Sequence, residues 1–157
     1  MSKAVLYDEL GGPEVLYVAE VEIPERKPHQ VLVRVEVAGL NPYDAKVRSG
    51  DIPTKAAFPR RIGSDFSGVV EEVGEEATYW DGAAVSVGDR VMGRAIGSVA
   101  ERAVASAKSI TLKPGELPAG VAGSLDVAGL TAMACLINVP VGEGDTLLVG
   151  GATGAVG

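Results

Sequence analysis

The residues whose type and spacing point most clearly to a chemical function are three glycines between positions 151 and 157. Gly151, Gly154 and Gly157 follow the apolar run 147–149 at a GxxGxxG spacing. Glycine adopts positive φ angles and lets the backbone approach a ligand closely, so a glycine loop after a strand can hold the pyrophosphate of a dinucleotide. The sequence therefore predicts a short buried strand at 147–149 and a phosphate-binding loop after it. A simple glycine turn is the alternative.

Metal-ligating residue types are scarce. The chain has one cysteine, Cys135, and one histidine, His29. Structural zinc needs several thiolate or imidazole ligands, so we predict no bound metal, and a single cysteine excludes an intrachain disulfide. Cys135 lies in the apolar run 127–137, where we expect it to be a small buried side chain. His29 lies in the charged stretch "PERKPHQ", where we expect it at the surface.

Composition places the chain among globular proteins. It has 157 residues, of which 46 % are hydrophobic and 22 % charged, and its formal net charge is −7. The negative charge repels phosphate backbones, which argues against a nucleic-acid partner. The longest apolar stretch, 127–137, is shorter than the roughly 20 residues of a membrane-spanning helix, and we expect no membrane partner and a cytoplasmic location.

The first hundred residues have the pattern of β structure. In "QVLVRVEVAGL", Val31, Val33, Val35 and Val37 share one face while Arg34 and Glu36 fall on the other, which predicts a strand with one buried face. A cluster of turn residues, 11–13, separates two short apolar runs and predicts a hairpin. Short strands at this spacing indicate a barrel-like or sandwich-like β domain.

Other segments complete this outline. "NPYDAKVRSGDIP" predicts a turn or short helix after Asn-Pro, and "GSDFSGVVEEVG" predicts another strand. We expect "EEATYWDGAAVS" (75–86) to be an exposed excursion, and Gly88-Asp89 to form a turn before the next strand. Residues 116–138 lack β alternation and predict one or two helices. The domain boundary is expected near 114–118.

Six motifs in the same order carry a family resemblance. They are "VLVRVEVAGLNPYDAKVRSG", "GSDFSGVVEEVG", "VGDRVMG", "GSVAERAVA", "AGLTAMACL" and "LLVGGATGAVG". Together they resemble the zinc-independent quinone oxidoreductase branch of the medium-chain dehydrogenase/reductase superfamily. The glycine loop alone also resembles atypical short-chain reductases, but its place after a β domain favours the medium-chain branch.

The resemblance implies a mainly β fold with some α structure. Residues 1–116 would form a GroES-like β-barrel catalytic domain, and 117–157 the connecting helices, first strand and glycine loop of an incomplete Rossmann domain. We therefore expect an N-terminal fragment of a longer parent. A natural short protein that has lost its nucleotide-binding half is the alternative.

The resemblance also implies roles for residues of the first domain. Asn41 and Ser64 stand where zinc-dependent relatives have metal ligands, and Asn41 would hold the nicotinamide ribose or the substrate oxygen; an Asx turn is the alternative, and the two are compatible. Tyr43 would protonate the reduced double bond, unless it is a packed ring. Asp44 would orient its loop, unless it is a helix cap or a solvated carboxylate. Lys46 stands where related enzymes often have an aromatic residue, so the resemblance does not define the shape of the substrate pocket.

Cofactor contacts are implied in the second domain. Thr131 would lie beside the nicotinamide, although its hydroxyl could instead bond to the preceding helical turn. The expected loop contacts are Gly151, Ala152, Gly154, Ala155, Val156 and Gly157. The residue that selects NAD or NADP lies about 20 residues beyond such a loop. Only the resemblance favours NADP, and NAD stays open.

The function implied is hydride transfer from NADPH to a quinone or an α,β-unsaturated carbonyl without zinc. The parent would act on such small molecules as a homo-oligomer, whereas we expect the 157-residue chain itself to be inactive. The alternative is a non-catalytic GroES-like binding module that associates with itself, because the apolar stretch 127–139 would be uncovered.

Overall fold

The computed structural model describes residues 1–157 and contains eight β-strands and three α-helices. Short 3₁₀ turns occur at Pro13–Val15 and Ala107–Ser109. The strands are β1 (Ser2–Tyr7), β2 (Tyr17–Val21), β3 (Gln30–Gly39), β4 (Arg60–Arg61), β5 (Asp65–Val73), β6 (Arg90–Arg94), β7 (Arg102–Ser106) and β8 (Ile110–Leu112). The helices are α1 (Pro42–Ser49), α2 (Ala119–Ala122) and α3 (Asp126–Asn138).

The strands form two antiparallel sheets. One has the order β2-β1-β4 and the other the order β7-β3-β5-β6-β8. Hydrogen bonds from Val5 N to Val99 O and from Glu101 N to Lys3 O, 3.0 and 2.9 Å long, join β1 to the segment before β7. The two sheets are thereby linked at one side, which confirms the prediction of a β domain built from many short strands.

Strand β3 follows the predicted alternation with one departure. Val31 and Val33 are fully buried, Val35 packs partly against the core, and Arg34 is exposed. Leu32 is also buried, on the face that the sequence pattern assigns to solvent. Buried residues of β3, β5 and the neighbouring strands build one core around Phe66, Val70 and Val91.

Helices α2 and α3 lie against the larger sheet through a close contact. A Cβ atom built on Gly39 would lie 2.5 Å from the carbonyl oxygen of Gly123 and 3.0 Å from Cα of Ser124. The Ser67 hydroxyl, which is fully buried, donates to the carbonyl oxygen of Ala119 at 2.8 Å. The absence of a side chain at Gly39 therefore lets the α2–α3 segment approach the sheet.

Several expectations are confirmed. The hairpin forms between β1 and β2, α1 occupies the segment after Asn41, two helices lie within 116–138, and His29 is exposed. Gly88 has a φ of 92° in the turn before β6. No helix of the chain is long and apolar enough to cross a bilayer.

The expected exposed excursion at 75–86 is wrong in part. Ala77, Tyr79 and Val85 belong to the core, whereas Trp80 is exposed. The Tyr79 hydroxyl donates to the Asp89 carboxylate at 2.7 Å, so the ring can be buried with its polar atom satisfied. The loop therefore closes one side of the core.

Two expectations within residues 135–149 also differ from the structure. Cys135 is exposed, not buried, because the second half of α3 extends beyond the sheet with solvent around it. Residues 147–149 form no strand, and Leu148 is almost fully exposed. A buried strand needs neighbouring strands to pair with, and none lies beside this segment.

Candidate functional site

The N-terminus of α1 gathers three of the predicted site residues. Asn41 is the N-cap, with an extended backbone, and Pro42 occupies the first helical position, which suits its missing N–H. The Asp44 carboxylate accepts a hydrogen bond from the Asn41 backbone N–H at 2.8 Å. Asp44 therefore belongs to the helix cap, which is one of the alternatives expected for it, and it fixes the backbone of Asn41; a role of Asp44 in catalysis stays a prediction.

The Asn41 amide is an unusual polar group. Its Nδ2 atom is buried and has no hydrogen-bond partner of acceptable geometry, although the amide lies close enough to the Asp65 carboxylate to lower that pKa. A buried donor without a partner costs free energy, so such groups are concentrated where a ligand completes them. A contact of the Asn41 amide with a bound molecule stays a prediction.

Tyr43 and Asp44 line a cavity of about 230 Å³ beside α1. Asp44 is buried, and its second carboxylate oxygen accepts a hydrogen bond from the Ser64 hydroxyl at 3.3 Å. The Tyr43 ring is about half exposed, at 53 %, and is not a fully packed ring. Lys46 is exposed and does not line the cavity, so it does not shape this pocket.

Asp65 joins the β domain to helix α3. It is fully buried, and both of its carboxylate oxygens lie 3.3 Å from the backbone nitrogen of Val127. Val127 belongs to the first turn of α3, whose free N–H groups and helix dipole favour an acceptor there. Asp65 therefore caps a helix from another part of the chain.

Burial dominates the electrostatics of this contact. Burial raises the pKa of Asp65, and the nearby Asp44 charge adds to the rise, while Asn41, Val127 and Arg94 oppose it. Burial also raises the pKa of Asp126, followed by the charge of Asp65. Since both folded-state pKa values are raised, stability falls as the pH rises from the unfolded value near 3.8 through the raised folded-state values, and the loss is complete above them.

Thr131 lies one turn farther along α3. Its side chain is exposed, and its hydroxyl donates to the carbonyl oxygen of Val127 at 2.6 Å, which is the local alternative to cofactor contact. The Val127 and Asp65 contact places this turn on the same side of the molecule as α1. A role of Thr131 beside the nicotinamide stays a prediction.

The glycine loop has features that fit a phosphate group. Gly151 has a φ of 76°, and a Cβ atom there would meet no other atom within 4 Å. Within 146–157 the only backbone hydrogen bond runs from Gly154 N to Gly151 O, at 2.9 Å, so the other amide groups are free to donate. A Cβ atom on Gly157 would lie 2.5 Å from Cα of Ala152, which explains a glycine at that position. Its role in binding a cofactor stays a prediction.

The residues at Asn41 and Ser64 do not suit zinc. An amide and a neutral hydroxyl are not usual zinc ligands. No group of three or more His, Cys, Asp or Glu side chains is arranged to bind a metal ion. The expectation of a zinc-free reaction stays a prediction.

Sequence reasoning missed the arginines of the site. Arg60 and Arg61 form β4 and line the same cavity as Tyr43, although they are distant from it in sequence. Arg60 lies over the Phe58 ring, with its guanidinium carbon 4.0 Å from the ring centroid. A basic pair after an aromatic residue and a proline was the available signal, but β4 has only two residues and shows no alternation.

Comparisons with known proteins agree with the fold. The model of the alcohol dehydrogenase GroES-like domain family matches residues 27–140. The chain is 36 % identical to human quinone oxidoreductase over 161 aligned residues, which cover all of this chain and 47 % of the relative. It is 33 % identical to a chloroplastic NADPH-dependent alkenal/one oxidoreductase of Arabidopsis thaliana, covering 99 % of this chain and 42 % of the relative.

A solved structure adds a cofactor complex. A mycobacterial protein crystallised with NADPH superimposes with a TM-score of 0.80 at 36 % identity, covering 92 % of this chain and 43 % of that chain. The chain thus spans about half the length of the curated relatives that it matches. The likeness covers the α1 site, β5 and α3.

Proposed function

The chain belongs to the alcohol dehydrogenase GroES-like domain family, and from this membership we propose that it supplies the substrate-binding half of an NADPH-dependent oxidoreductase. The proposed reaction reduces a quinone or an α,β-unsaturated carbonyl without zinc. One observation carries the proposal: the N-terminus of α1 holds the buried Asn41 amide, and Tyr43 and Asp44, which follow it on the same helix, line a cavity.

The side chains of this site have complementary roles in the proposal. NADPH, when bound, supplies the hydride to the conjugated carbon of the acceptor. The Asn41 amide donates a hydrogen bond to the oxygen on which negative charge develops, a task that zinc performs in other enzymes. The Tyr43 hydroxyl transfers a proton to the reduced acceptor and regains one from water. Asp44 holds the Asn41 backbone in place.

A chimera tests this proposal. In it, residue 157 of the chain is followed by the remaining residues of human quinone oxidoreductase. We expect the chimera to oxidise NADPH when 1,4-benzoquinone or an enone is added, because the second half completes the cofactor site. The rate is measured from the NADPH absorbance. The 157-residue chain alone should show no turnover, and calorimetry should show no micromolar NADPH binding, since the glycine loop is exposed and the segment before it pairs with no strand.

Two controls make this result specific. Asn41→Ala in the chimera should reduce kcat by about 100-fold, as the loss of one oxyanion hydrogen bond does in other enzymes. A chelator should leave the rate unchanged. A folded chimera that binds NADPH and reduces neither acceptor class would contradict the proposal, and a rate abolished by a chelator would contradict its zinc-free chemistry.

The proposal includes further assignments. The division into a catalytic domain at 1–116 and the start of a nucleotide-binding domain at 117–157 is part of it, as is a cytoplasmic location. NADP is preferred to NAD because a related protein was crystallised with NADPH and another relative is named for its NADPH dependence.

Exposed apolar residues favour a second candidate function, a module that associates with itself. Several large apolar side chains of α3 and the following segment lie open to solvent: Leu130, Met133, Leu136, Ile137 and Leu148. Exposed apolar surface of this kind is commonly buried by association.

Sedimentation velocity over a range of concentrations tests this candidate. We expect a reversible dimer whose dissociation constant rises at least tenfold in Ile137→Glu, because a buried unpaired carboxylate opposes contact. Val87→Glu is the matched control, since Val87 is an exposed apolar residue in a distant turn. A monomer at all concentrations, or equal effects of the two variants, would rule out association through this surface.

A further inference from the structure

Two consecutive arginines in the candidate substrate cavity lack carboxylate partners. Arg60 and Arg61 are half-buried, and neither takes part in any of the five ion pairs of the structure. The paired arginines of this acidic chain lie on the larger sheet or its adjoining loop. Arg48 and Arg94 likewise take part in none of the ion pairs, and Arg94 lines the neighbouring cavity.

Most of the donor groups of this pair are free of protein acceptors. Arg61 uses one Nη2 hydrogen to reach the carbonyl oxygen of Glu22 at 3.0 Å. Arg60 is braced by the carbonyl oxygens of Ala56 and Thr54, at 2.8 and 3.4 Å. A guanidinium group carries five N–H donors in a planar fork that matches a carboxylate. Arg61 thus keeps four donors and Arg60 three.

Arg61 also stands between two cavities. The 230 Å³ cavity beside Tyr43 and a larger one of about 770 Å³ share Arg61, Ser64 and Ile96. The larger cavity adds two cations, Lys27 and Arg94, against a single carboxylate, Glu25. The wall that the cavities share is therefore positive.

The opposing charge in the smaller cavity is already engaged. Asp44 is its only carboxylate, and its oxygens accept hydrogen bonds from the Asn41 backbone and the Ser64 hydroxyl. No ion pair joins it to Arg60 or Arg61. Part of the remaining wall is formed by Tyr7, Tyr43 and Val47 and suits a flat apolar body.

We propose that the acceptor taken by this site is a conjugated carbonyl compound that carries a carboxylate, with the carboxylate bound by Arg61. This inference rests on the proposed function and narrows its substrate class. Partly buried guanidinium donors bind an anion more strongly than exposed ones do, because less solvent competes. Typical ligand pockets measure about 300–1,000 Å³. The cavity beside α1, at about 230 Å³, is smaller, so it fits a compound of one ring and a short chain and not a dinucleotide.

A matched pair of probes tests the inference on the 157-residue chain. The probes are 4-oxo-4-phenylbutanoate and its neutral primary amide, which lack the reactive double bond and so do not alkylate the exposed Cys135. Binding is measured by calorimetry and by backbone amide shifts in two-dimensional NMR. We expect the carboxylate to bind about tenfold more tightly than the amide, a preference that weakens as salt is added. The amide shifts should include residues 60–64.

Variants locate the charge that is responsible. Arg61→Gln should abolish the preference for the carboxylate, while Arg61→Lys should keep part of it, because lysine retains the charge without the planar fork. Arg90→Gln is the matched control: it removes the same charge from an exposed arginine that is paired with Glu36. Circular dichroism establishes that each variant is folded.

The outcomes separate this inference from the proposed function. Equal binding of both probes would overturn the inference and leave the quinone or enone chemistry to be judged by the chimera. Binding of neither probe, or a preference equally reduced by Arg90→Gln, would also overturn it. If Arg61→Gln is unfolded, the comparison of the two probes on the unaltered chain and on Arg61→Lys still decides the question.

Discussion

Replacing Phe66 with alanine is expected to lower the free energy of unfolding by about 3–5 kcal/mol, the range measured for buried aromatic residues in other cores. Phe66 is fully buried in β5, where its backbone pairs with Ala38 on β3 and Gly93 on β6. The truncation removes apolar contacts with both neighbouring strands and leaves a cavity that a sheet cannot readily close. Urea denaturation followed by circular dichroism measures the loss.

The effect should extend to the site, because Phe66 lies between Asp65 and Ser67, the two residues that hold α3 and α2 against the sheet. Phe58→Ala is the matched control, since Phe58 is 41 % exposed and contacts Tyr7 only edge to face. Its cost should stay below about 1.5 kcal/mol, in the range of partly exposed positions. Equal losses in the two variants would show that the core is not centred on Phe66.

The sequence predicted those parts of the fold that depend on neighbours along the chain. Alternation in 31–37 is enough for a strand, because side chains of a strand point to opposite faces in turn. Asn-Pro at 41–42 is enough for a helix start, because the N-cap and first helical position favour these residues. Both features were found where the residues place them.

The failures share a different cause. Hydrophobicity along the chain shows which residues could be buried, but it does not show which distant segments pack against them. Tyr79 is buried because Asp89, ten residues away, accepts its hydroxyl, and Cys135 is exposed because no sheet reaches the second half of α3. The strand expected at 147–149 lacks neighbours for the same reason.

The candidate site divides in the same way. Asn41, Tyr43 and Asp44 are close in sequence and share one helix start, so a motif could identify them together. Asp65 acts instead through a distant partner, because the Val127 N–H that donates to it lies 62 residues away. The arginines of β4 enter the cavity only because β4 pairs with β1. No local pattern indicates that pairing.

Replacing Gly39 with alanine should loosen α2 and α3 from the sheet and lower the free energy of unfolding by about 2–3 kcal/mol, near the upper end of overpacking costs. The new Cβ atom would lie 2.5 Å from the carbonyl oxygen of Gly123 and 3.1 Å from Cβ of Asp65. The first of these is backbone, which cannot rotate away as a side chain does, so the helical segment must move. The amide hydrogen of Val127, which is hydrogen-bonded to the Asp65 carboxylate, is then expected to exchange with deuterium faster than in the unaltered chain.

Two comparisons make this prediction specific: the amide exchange of Val127 against that of Val33, and the variant Gly39→Ala against Gly120→Ala. In Gly39→Ala, the exchange of Val127 should accelerate far more than that of Val33, which lies in the core of β3, because the strain falls on the contact and not on the sheet. Gly120→Ala is the matched control: Gly120 lies in α2 with nothing within 4 Å of an added Cβ atom. Alanine there should be neutral or stabilise the helix by up to about 1 kcal/mol. If Gly39→Ala leaves both stability and Val127 exchange unchanged, the α2–α3 segment is not held by this contact, and Asp65 no longer has the role of positioning the helix that carries Thr131.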